Sequence, residues 1–102
     1  MKGGRLMILS IQEARDTLRI DGADNDEIII PLVESIPAYL ETATGNTWLN
    51  EQGNASDPLA KTAARFLLIL WYNAEQAEAE RLNKTIHTLL TSLTVRGHAS
   101  NG

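Results

Sequence analysis

Asp21, Asp24, Asp26 and Glu27 stand close enough in the sequence to share a divalent cation, and alternating Asp residues are how an EF-hand loop begins to hold calcium. The rest of that loop is missing: Gly22 falls in the wrong place, and Leu32 occupies the position where a bidentate Glu should close the cage. Carboxylates in a first turn are favoured by the helix dipole and as caps, so the cluster reads instead as the start of a helix. His87 and His98 have no carboxylate pattern near them, and one lies close to the end of the chain, which argues against a shared metal or a general base. There is no Gly-x-Ser-x-Gly elbow, no phosphate-cradling glycine loop and no His-Glu-x-x-His helix. Without cysteine, thiolate ligands, Cys nucleophiles and disulfides are also excluded. The expectation is a non-enzymatic protein with no catalytic residue, metal site or cofactor.

Nucleic acid is the next class to test. Trp71-Tyr72 has the chemistry of a stacking platform, but its neighbours are Leu70, Asn73 and Glu75 rather than Arg or Lys. Nine Lys plus Arg against thirteen Asp plus Glu give a net charge of -4, and the basic residues are scattered, with Arg15 and Arg19 a pair sharing one helix face, too few for a DNA footprint. A phosphate-gripping surface starts at a disadvantage. The run Glu75, Glu78, Glu80 and Arg81 reads as a solvated face, or as negative charge offered to a channel or a basic partner.

These groups must be carried by helices, since apolar residues recur at three- and four-residue steps with no sustained two-residue alternation. At 102 residues, 43% hydrophobic and 22% charged, the chain forms one globular domain. Residues 1–8 read as a flexible leader without the apolar stretch of a signal peptide, and 97–102 as a flexible tail, which leaves a helical domain over 9–96. The two Asn-x-Ser/Thr sequons, at Asn54 and Asn83, are read as chance. Ser10 and Glu13 fit a capping box that opens a short helix, closed at Ile20-Asp21-Gly22. A second helix runs from about Asp26 to Thr44 on a seam of Ile29, Val33, Ile36, Leu40 and Ala43, and stops at Gly45. Pro31 and Pro37 each cost about 3 kcal/mol in an unbroken helix interior, so a kink or a split is expected there. Asn46 to Ser56 forms a loop anchored by Trp48 and Leu49.

Asp57-Pro58 then starts the long central helix, predicted to reach Glu80. Its core residues are Phe66, Leu67 and Leu70, and it is apolar on both sides, so both need cover. The apolar run Phe66–Tyr72 is far short of the ~20 residues that cross a bilayer, and the cover must be protein, either this chain or another subunit. A last helix capped by Asn83 carries Ile86, Leu89, Leu90 and Leu93. The predicted architecture is all-α: a small bundle of about four helices around a long third helix, with a loop between helices two and three.

Four segments in order carry a resemblance: Ile8 to Asp21 (ILSIQEARDTLRID), the acidic start at Asp24, Asp26 and Glu27, the helix end Tyr39-Leu40-Glu41-Thr42-Ala43-Thr44-Gly45, and the Leu-rich helix with Trp71-Tyr72-Asn73. Together they resemble the small helical head-tail connector proteins of tailed bacteriophages and prophages, over most of the chain. After the aromatic pair the chain departs from that family, with Asn73-Ala74-Glu75-Gln76 where Asn-Arg-Glu is usual. The resemblance implies a homo-oligomeric ring that joins the portal protein to the next connector or tail protein. DNA would be only passing cargo, and no membrane is involved. It further implies residence in the virion connector and, during assembly, in the host cytoplasm. Candidate subunit or partner contacts are Trp48, Leu49, Trp71, Tyr72 and Arg19, and candidate channel-facing carboxylates are Glu75, Glu78 and Glu80. Two other readings stand beside it: a small helical protein-protein interaction or adaptor module, and a DNA-binding bundle.

Overall fold

A computed structural model describes residues 7–101. It is all-α, with α1 (Ile11–Leu18), α2 (Asp26–Thr44), α3 (Pro58–Asn73) and α4 (Gln76–Asn101). The capping box forms as the sequence requires: Ser10 Oγ accepts from the Glu13 amide at 3.0 Å, and Glu13 Oε1 accepts from the Ser10 amide at 2.9 Å. α1 stops earlier than Gly22, because Arg19 itself takes the left-handed conformation (φ 59°, ψ 43°) and the Ile20 amide reaches back to the Arg15 carbonyl.

α2 runs unbroken through both prolines, so the chain is not split there. Pro31 lies on the exposed side, while Ile29, Val33, Ile36 and Leu40 are fully buried, and that burial outweighs two lost amide bonds. The expected seam ends on Thr44 rather than Ala43: Thr44 is 5% exposed and Ala43 faces out.

The largest correction concerns α3. It does not continue to Glu80 but ends at Asn73, where Ala74 turns extended (φ -76°, ψ 131°), and α4 begins at Gln76, before the predicted Asn83 cap. Neither glycine nor proline marks this reversal. It occurs because Leu82, Ile86 and Leu93 can bury themselves only if the chain folds back over α3. The two apolar sides of α3 are thereby covered from within: Ala60, Ala63, Ala64, Leu67 and Leu68 are buried, with Phe66 and Leu70 half-buried against them. α3 packs on both α4 and α2, α2 and α4 also touch each other directly, and α1 lies across α2 and α3.

Both termini of the predicted domain also shift. Ile8 and Leu9 are core residues, so of the predicted leader only 1–6 lies outside the described residues. The predicted tail continues α4 to Asn101, and Gly97 is buried there against Asn46. That contact, with Arg96 Nε donating to Asp57 Oδ2 at 2.7 Å, sets the end of α4 beside the end of α2 and the start of α3. The Cα envelope is a slab, 44 × 41 × 18 Å.

Candidate functional site

Among the described residues three ion-pair groups tie the helices together. Arg15 bridges α1 to Asp26 at the start of α2, which accounts for one member of the acidic cluster as a structural tie. Arg15 hydrogen-bonds the Asp26 carboxyl and holds its pKa below the ordinary carboxylate range, against a smaller opposing effect of burial. Glu13 joins α1 to α3 through Lys61 Nζ at 2.6 Å and Arg65 at 3.6 Å. Burial acts to raise the Glu13 pKa, but the bonds from Lys61 and Ser10 outweigh it and the net shift is downward. Asp57 behaves alike, with burial opposed and exceeded by Arg96 and the Leu59 amide. Among the described residues no group of three or more His, Asp or Glu is placed to hold a metal ion.

The predicted contact residues separate into two clefts and an aromatic pair. Arg19, Tyr72 and Glu78 come together with Thr17, Leu18 and Ile69 around a shallow cleft of about 170 Å³, where α1 ends and α4 begins. Trp48 and Leu49 belong to another, about 330 Å³, walled by Pro37 and Ala38 and rimmed by Glu34 and Glu41 of α2. Trp48 is 7% exposed, so most of its ring is core and only an edge reaches that groove. The loop behind it is built rather than loose: Leu49 bridges Ala55, and Asn50 Oδ1 accepts from the amides of Gln52 and Asn54 at 2.9 and 3.0 Å. Trp71 stands apart from both clefts, edge-on to Tyr39 with ring centroids 5.4 Å apart at 82°.

Glu75, Glu78 and Glu80 are all exposed at the α3–α4 corner. They were expected at a helix C-terminus, where the dipole opposes them. The reversal puts Glu78 instead in the first turn of α4, where the dipole favours it. The α2 edge was missed as a unit. Glu27, Pro31, Glu34, Ala38 and Glu41 all face out along it, and α2 contains no Lys or Arg. The steps of four and three residues between them were the available signal.

The fold is thus a small four-helix slab with shallow surface clefts and acidic edges, and no described helix is long and apolar enough to cross a membrane. Comparison with protein-family models, with curated proteins and with solved structures gave no match.

Proposed function

We propose that the chain is a structural, non-enzymatic subunit of a phage or prophage head-tail connector. Copies form a homo-oligomeric ring between the portal and the next connector or tail component, and DNA passes through as cargo. The order of sequence segments suggests the reading, and one structural observation carries it: how the protomer spends its carboxylates. Glu13, Asp26 and Asp57 are engaged in ties between elements, whereas Glu75, Glu78 and Glu80 project from one corner with no ion pair among the described residues. A rim of unpaired negative charge repels phosphates, so DNA slides past without sticking. The flat protomer has broad faces to give to two neighbours in a ring.

Native mass spectrometry and negative-stain microscopy, on the chain alone and mixed with a portal from the same genome, test this. A ring is expected. A strict monomer that binds no portal removes the reading. The groove beside Trp48 favours a second one, an adaptor that binds one protein partner, which predicts a monomer or dimer with no affinity for the portal.

A further inference from the structure

The reversal between α3 and α4 lacks the caps that close α1 and α2. Those two helices end on left-handed residues, Arg19 and Gly45, whose amides bond back into the helix, whereas α3 stops at Ala74 in an extended conformation. The Glu75 carbonyl accepts from the Ala79 amide at 2.7 Å, so Glu75 occupies the N-cap position of α4, where Ser, Thr, Asp or Asn is preferred. Ala74 is half-buried, but Glu75, Gln76, Ala77 and Glu78 are all exposed, so packing fixes little of the corner. From Ala74 to Arg81 every residue is Ala, Glu, Gln or Arg, all good helix formers. A continuous helix through the corner would satisfy the carbonyls and amides that two helix ends leave open.

What holds the reversal is burial away from the corner itself. Leu82, Ile86 and Leu93 are buried, and at the far end of α4 Arg96 reaches Asp57 while Gly97 lies against Asn46. Within one chain these contacts require the corner. Between two chains they do not, because a second copy offers the same α3 face, the same Asp57 and the same Asn46. Exchange of α4 between copies therefore keeps its contacts and adds helix at Ala74 and Glu75, against the cost of bringing two chains together.

We infer that the corner at Ala74 and Glu75 is a hinge: α3 and α4 join into one helix from Pro58 to Asn101, and the α4 of each copy covers the α3 of a second copy. Such a helix is about 65 Å long, more than the 44 Å of the compact protomer, so the exchanged pair is extended. The hinge does not depend on the ring proposed above. Subunits that meet through their outer faces keep each α4 on its own α3.

The test refolds the full chain from urea across a concentration series, with native mass spectrometry for oligomers and circular dichroism for folding. Because the chain has no cysteine, the double variant Asp57→Cys/Arg96→Cys carries two thiols placed where α3 and α4 meet. A short bismaleimide joins them within one chain in the compact form and between two chains after exchange. Refolding at high concentration is expected to give the cross-linked dimer. In the same background Gln76→Pro suits the first position of α4 but breaks a continuous helix, through its missing amide and a clash with the Tyr72 carbonyl. It should cut the exchanged dimer at least tenfold with helix content unchanged. Deletion of Ala74 and Glu75 leaves no residue between the helices and should raise the dimer; should that variant fail to fold, the comparison with Q76P decides. Cross-links that stay within single chains at every concentration, or a Q76P chain that exchanges as readily as its parent, overturn the hinge. A ring in which every cross-link lies within one chain overturns the hinge and leaves the ring.

Discussion

The indole N–H of Trp48 donates to the hydroxyl of Thr44 at 2.8 Å inside the core, and that hydroxyl in turn donates to the Leu40 carbonyl at 2.7 Å. One side chain thus ties the last turn of α2 to the loop that walls the groove. Thr44→Val keeps the shape but leaves a buried indole donor unpaired, so urea unfolding followed by tryptophan fluorescence should show a loss of about 1–3 kcal/mol. Trp48→Phe, which removes donor and partner demand together, leaves no such orphan. A Thr44→Val variant as stable as the parent would mean the bond contributes nothing net.

Gly97 is the position where α4 comes closest to the loop after α2. A Cβ there would overlap Asn46 Nδ2 and lie 2.7 Å from Asn46 Cγ, so either the Asn46 side chain turns away and gives up its present contacts or α4 shifts outward. Gly→Ala in a helix ordinarily stabilises by about 0.4–1 kcal/mol, because the unfolded chain loses freedom. At Gly97 the sign should reverse: G97A lowers the melting temperature, and Asn46→Gly in the same chain recovers part of the fall. A rise in melting temperature for G97A alone would show that α4 is free to shift outward.

Glu13, Asp26 and Asp57 all titrate below their ordinary values, so each contributes stability that is fully present above the unfolded carboxylate pKa, about 4. That contribution is lost as pH falls through the lower folded values. Stability measured by urea titration should be flat through neutrality and drop below about pH 4. Glu13→Gln, which can keep the capping box but removes the charge that faces Lys61 and Arg65, should cost up to about 1 kcal/mol at pH 7 and make the acid limb shallower. Parallel pH curves for the parent and E13Q would exclude Glu13 from that limb.

Tyr39 and Trp71 form an edge-to-face pair at the surface, between α2 and the end of α3. A double-mutant cycle with Tyr39→Leu and Trp71→Leu should give a coupling of about 0.5–1.5 kcal/mol, the usual range for such pairs. The same variants separate folding from assembly. Unchanged oligomers with lower stability assign Trp71 to the fold, and lost oligomers with intact folding assign it to a subunit contact.

The sequence by itself determined where helices start and which faces they bury, because these are local matters. Ser10 and Glu13 cap one another across a single turn, Asp57 and Pro58 open α3 without needing the rest of the chain, and the seam of Ile29, Val33, Ile36 and Leu40 follows from a fixed helical period. Glycine gave the end of α2 at Gly45, but it misled at α1, where Arg19 took the left-handed turn in place of Gly22.

Only the tertiary structure decided the break at Ala74, the reach of α4 to Asn101, and the burial of Ile8 and Gly97. Nothing local distinguishes Ala74-Glu75 from helix, and propensity alone carries α3 onward. The chain reverses because the apolar sides of α3 and α4 leave water only by meeting each other, a gain that exists once both helices are in place. The candidate site follows the same rule. Residue types picked out Trp48, Trp71, Tyr72, Arg19 and the acidic run, but folding spent Trp48 on the core and joined Arg19 to Tyr72 and Glu78.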